Sequence, residues 1–157
     1  RAGQSQHEEV YFSTYELVND ISSGLTANSN IKVVIVQPLP FLKTEKIKLE
    51  QVFTNLISNA IKHNKNQQPE IIITATEAAT EYTFCVADNG PGIDPGYHAK
   101  IFVIFQTLQS RDTAENTGVG LAIVKKIIEE NGGRIWVESA IGQGAKFYFT
   151  WPKYPIM

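Results

Sequence analysis

Two pairs of strand-like runs decide what this chain can fold into. "EIIITATEA" (70–78) and "EYTFCVAD" (81–88) are separated by two residues, and "RIWVESA" (134–140) and "AKFYFTW" (145–151) by the four residues "IGQG". In the second run, Tyr82, Phe84 and Val86 alternate with Thr83, Cys85 and Ala87, the period of a strand. Links this short make hairpins, so each pair reads as two adjacent antiparallel strands. Helical patterns lie around them. Ser13 and Glu16 form an S-x-x-E capping box for a helix through about Ala27, with Leu17, Val18, Ile21 and Leu25 as its apolar stripe. "IKVVIV" (31–36) is a short strand, "QPLPFLK" a proline-punctuated loop, and Thr44 caps a long helix over "EKIKLEQVFTNLISNAIKHN". A short helix or turn falls near 97–105, then a polar segment to 117, then a glycine-led helix over 118–133 ended by Asn131-Gly132-Gly133. The order α-β-α-β-β-(α)-α-β-β predicts an α/β fold. It is a two-layer α/β sandwich whose mixed, mostly antiparallel sheet is covered on one face by helices, not a doubly wound parallel sheet.

Composition narrows the function classes. At 157 residues the chain suits one domain with a real core. A net charge of −2 offers no basic surface for nucleic acid. No apolar run approaches the roughly 18 residues of a membrane span, so direct membrane insertion is not expected. Cys85 is the one cysteine, which excludes an internal disulfide, fits a reduced buried thiol and suits the cytoplasm. His7, His63 and His98 are too scattered for a metal cluster. The chain opens on Arg1 and reads as a piece of something longer: residues 1–12 a polar lead-in left from a linker, 13–152 the domain, 153–157 a tail.

Three constellations carry chemistry. Asn55, Asn59 and Lys62 share one face of the long helix, beside the apolar face of Val52, Phe53, Leu56, Ile57, Ala60 and Ile61. Asparagine is a mediocre helix former, and two of them a turn apart go against local preference. They read either as a solvated stripe or as an amide ligand for Mg²⁺ with a lysine for phosphate. "DNGPGI" (88–93) reads either as a turn or as a place where backbone approaches a flat ring while Asp88 accepts from an amine. In "NTGVGLAI", Gly118 and Gly120 lead a helix whose first amides point at an anion. No third glycine follows and no strand leads in, so the dinucleotide fingerprint fails, and no P-loop is present.

In this order the three resemble the N, G1 and G2 boxes of the catalytic ATP-binding domain of sensor histidine kinases, in the GHKL superfamily with the Bergerat fold. "NLISNAIKH" (55–63) is similar to the N box, "DNGPGI" to G1, "IFVIF" (101–105) to the F box and 116–133 to G2 with its helix. The resemblance implies that Asn59 ligates Mg²⁺, that Asn55 supports the site and that Lys62 touches phosphate. It implies that Asp88 accepts from the adenine N6 amine, that Gly90, Gly92 and Ile93 shape the adenine pocket, and that His63 lines it. It further implies that Thr117, Gly118, Val119, Gly120 and Leu121 hold the phosphates and that residues 103–117 form a mobile ATP lid anchored by Phe102 and Phe105, with Arg111 read either as reaching the γ-phosphate or as a solvated loop charge. In hydrolysing relatives such as gyrase and MutL a glutamate stands where this chain has Asn55, which cannot act as a general base. Kinase is therefore favoured over ATPase. Two departures stand out: Asn116 replaces a glycine, and Ala145-Lys146 replaces a small hydroxyl residue. No histidine carries the acceptor pattern, so the isolated chain, a monomer, is expected to bind ATP and Mg²⁺ without phosphorylating itself. The implied partners are the dimerisation domain of the same kinase and, indirectly, a response regulator. The alternatives are a GHKL serine kinase of anti-sigma type and a non-catalytic nucleotide-binding module. "FQTLQSRD" resembles the lids of kinases attached to PAS or phytochrome-type sensors.

Overall fold

A computed structural model describes residues 8–103 and 119–153. Its elements run β1 (Val10–Ser13), α1 (Thr14–Leu25), β2 (Lys32–Ile35), β3 (Phe41–Thr44), α2 (Lys46–Lys62), β4 (Glu70–Glu77), β5 (Glu81–Asp88), α3 (Val119–Glu130), β6 (Ile135–Ser139) and β7 (Ala145–Pro152). Two 3₁₀ turns, Pro95–Tyr97 and Lys100–Phe102, lie between β5 and α3. Five strands form one sheet in the order β2-β4-β5-β7-β6, with β2–β4 parallel and the remaining pairs antiparallel. Both predicted hairpins are present, and the mixed, mostly antiparallel sheet is the one expected.

Alternation along the strands builds the core. Ile71, Ile73, Phe84, Val86, Phe147, Phe149 and Trp151 point to the helix side and are buried, while Thr83, Lys146 and Glu138 fall on the other face. Phe53 of α2 sits edge-on to Phe84 and Phe149, each at 5.3 Å between centroids, so one ring ties the long helix to the two central strands. Leu49, Val52, Leu56 and Ile57 of α2 and Val124 and Ile128 of α3 complete the layer. Cys85 is free and buried, and burial pushes its thiol pKa up.

The structure departs from the sequence reading at one place. The predicted loop "QPLPFLK" contains β3, which pairs antiparallel with β1, and β1 starts inside the stretch assigned to the lead-in. Pro38 and Pro40 hide this strand, because its four residues leave too short a run for alternation to register. Thr44 consequently ends β3 instead of capping α2. Glu45 occupies the cap position, where its side chain makes no capping hydrogen bond, and the Thr44 hydroxyl accepts the indole N–H of Trp151 at 3.1 Å inside the core. Ser13 does cap α1, accepting from the Glu16 amide at 3.1 Å.

Candidate active site

The sheet, α2 and α3 converge on a cavity of about 560 Å³, within the size range of small-molecule sites. Asn59 and His63 reach it from the end of α2, Asp88 from the end of β5, Gly92 and Ile93 from the loop beyond, and Leu121 from the first turn of α3. Ala145 and Phe147 of β7 also line it, as do Tyr97, Lys100 and Ile101. Segments far apart in sequence, singled out on local pattern alone, thus meet around one space.

Asp88 is the half-buried acid of the cavity. The Gly90 amide donates to its Oδ1 at 2.8 Å. Burial raises its pKa above the usual carboxylate value, against the pull of the Gly90 and Ala145 amides and of His63. Such an acceptor, held by backbone and stripped of some water, has capacity left for an N–H donor entering the cavity. Ala145 meets Asp88 through its main-chain N–H, a contact that does not depend on its side chain.

Neighbouring loops fix that geometry. Asn89 Oδ1 accepts from Asn64 Nδ2 and from the Glu70 amide, both at 2.8 Å, and its own Nδ2 donates to the Gln68 carbonyl at 3.0 Å. The connection from α2 to β4 is thereby tied to the end of β5. On the other side, Ser139 Oγ donates to the Gly144 carbonyl at 2.6 Å and accepts from the Ile93 amide at 2.8 Å. Gly92 and Gly144 have φ of 81° and 75°. A Cβ on Gly92 would collide with the Ala140 carbonyl, and one on Gly144 with the Asp88 carbonyl. The two turns interlock only because both residues are glycine.

The remaining predicted residues divide. Asn55 lies one turn before Asn59, its Oδ1 3.7 Å from where a Gly120 Cβ would stand, so it faces the start of α3 without lining the cavity. Gly90 does not line it either, but a Cβ there would press on Asp88 Oδ1 at 3.0 Å. Lys62 is exposed and lies outside the lining, Val119 opens α3, and Phe102 meets Phe147 edge-on at 6.2 Å, as an anchor would. Phe105, Arg111, Asn116, Thr117 and Gly118, with nearly all of the predicted lid, lie outside the described residues. Asn89, Ser139, Gly144, Tyr97 and Lys100 were not foreseen. Of these, Gly144 had a readable signal, since a four-residue link between strands demands positive φ somewhere.

Comparison with known proteins identifies this arrangement. Residues 44–155 match the family model described as histidine kinase-, DNA gyrase B- and HSP90-like ATPase. The chain belongs to that family. Within it, this is a histidine kinase ATPase domain. It resembles the catalytic domain of the histidine kinase ThkA with a TM-score of 0.77 and 30% identity, over 94% of this chain and 99% of that one. It also resembles full-length ShkA, solved in complex with AMPPNP, with a TM-score of 0.79 and 27% identity over 94% of this chain and 32% of that one. Cyanobacterial phytochrome A of Nostoc sp. is 54% identical over 115 residues, 73% of this ATPase domain and 15% of that relative, so the chain spans a small part of the relative's length. Among the described residues, no helix is long and apolar enough to cross a membrane.

Proposed function

We propose that this domain binds ATP in the described cavity and passes its γ-phosphoryl group to a histidine on a separate dimerisation domain. The observation that carries the proposal is the convergence of Asp88, Asn59 and Leu121 on one cavity. Adenine enters against Gly92 and Ile93, beside His63, and its N6 amine donates to Asp88. Guanine would set a carbonyl against that acceptor and leave both unpaired. Gly90 keeps backbone close to the Asp88 oxygen. At the other end, the first amides of α3, from Val119 through Gly120 to Leu121, meet the phosphates where the helix dipole favours negative charge. The family resemblance assigns Thr117, Gly118 and Arg111, which lie outside the described residues, to the phosphates, with Arg111 on the γ-phosphate and Lys62 adding charge.

The donor set suits Mg²⁺ held mainly by substrate. Asn59 lines the cavity and carries an amide oxygen able to ligate the ion, and among the described residues no cluster of three histidine, cysteine or acidic side chains competes for a metal. When bound, Mg²⁺ neutralises phosphate charge. Asn55 supports the start of α3 and has no basicity to activate water, so the group that attacks phosphorus comes from outside the domain. The acceptor imidazole nitrogen forms the new N–P bond as the bond to the β–γ bridging oxygen breaks, and ADP leaves. A response regulator is the onward recipient, in the cytoplasm, and the domain alone is a monomer.

Reconstitution tests this directly. Incubating the chain with γ-labelled ATP and a separately produced dimerisation domain of its parent kinase should label a histidine on that domain and leave the chain unlabelled. Label on the chain alone, or release of free phosphate without transfer, would contradict the proposal.

A further inference from the structure

The cavity carries a charge that none of the family motifs covers. Lys100 lines it from the 3₁₀ turn Lys100–Phe102, which is seated on the sheet through Phe102 and Phe147. Among the described lining residues it is the one lysine or arginine, set against the carboxylates of Asp88 and Asp94. Its Nζ rests 5.4 Å from the ring centroid of Tyr97, which also lines the cavity and is 55% exposed.

We propose that Lys100 is a phosphate-binding residue of this site, its ammonium exchanging the Tyr97 ring for the polyphosphate of ATP. The inference rests on the ATP reading above. Two carboxylates facing one cavity repel a polyanion, and Lys100 offsets them from inside the lining, where Lys62 does not reach. An ammonium–ring contact at an exposed site is weak, whereas a charge-assisted bond to phosphate is among the stronger polar contacts, so the exchange favours the bound state. Lys100 also sits one short turn before the segment from 103 onward. The turn that carries it packs against α3, whose first amides meet the phosphates.

Calorimetric titration of ATP into the wild-type chain, Lys100→Met and Lys100→Arg, at low and high salt, tests the inference. Lys100→Met should weaken ATP binding about ten- to hundredfold at low salt. The gap should narrow at high salt, and Lys100→Arg should bind within about threefold of wild type. Since Lys100 is exposed, melting temperatures should be unchanged. Wild-type affinity in Lys100→Met would overturn the inference while leaving the ATP reading intact. A loss that salt does not alter would also overturn it, pointing to packing against base or ribose. A wild-type chain that binds no ATP would remove the ATP reading and this inference together.

Discussion

The Asp88 carboxylate accepts amides from Gly90 and Ala145 in a setting that withdraws water from it, and the loss of water wins: its pKa is raised. The raised value means that the folded domain keeps this proton over a pH window in which the unfolded chain has released it. Stability of the ligand-free domain should therefore fall as pH rises from the ordinary value of 3.8 through the raised folded value. Asp88→Asn should flatten that decline, which urea unfolding across a pH series would measure. Nucleotide affinity should move the opposite way, because only the ionised acid accepts the adenine amine: constant above the raised pKa, it should drop about tenfold per unit below it. A wild-type decline identical to that of Asp88→Asn would contradict the assignment. At this scale the sequence was legible where chemistry is local. Asn59 stood out because an asparagine in an apolar helix goes against propensity, and Asp88 because it leads the glycine-rich stretch DNGPGI after a strand. Asn89 did not, since its partners Asn64, Gln68 and Glu70 come from another connection and nothing local announces them.

The turns at 89–93 and 140–144 are the elements that give Asp88 its surroundings, and their glycines separate two costs. Gly142 has φ of 82° with open space around it, while Gly144 has φ of 75° with the Asp88 carbonyl against it. Gly142→Ala should cost about 1 kcal/mol, the left-handed backbone alone. Gly144→Ala should cost about 3 kcal/mol or more, because strain and collision add, and should weaken ATP binding through displacement of Asp88. Chemical denaturation of both variants decides between them, and equal losses would contradict the interlock. Hairpins were legible because their strands are long, alternating and joined by short links. The β1–β3 ribbon was not. Its four-residue strands are distant in sequence, and what fixes Thr44, the Trp151 indole, lies at the far end of the chain.

At the scale of the whole molecule, the order β2-β4-β5-β7-β6 puts the C-terminal end of β5 at the middle of the sheet, between the last turn of α2 and the first turn of α3. No local pattern gives strand order. The sequence reading stopped at a mixed, mostly antiparallel sheet and a resemblance to the histidine kinase family, and the family match bore out that resemblance. The site was legible to the extent that each motif belongs to one element. The lining contributed by the 3₁₀ turns, Tyr97 and Lys100, was not, because short irregular segments carry no periodicity. The central claim is that this cavity reads adenine through Asp88. Its most direct test is calorimetric titration of Mg-ATP and Mg-GTP into the chain and into Asp88→Asn. ATP should bind the wild type at least about tenfold more tightly than GTP, and Asp88→Asn should lose most of that difference. Equal binding of ATP and GTP by the wild type, or no binding of either, would contradict it.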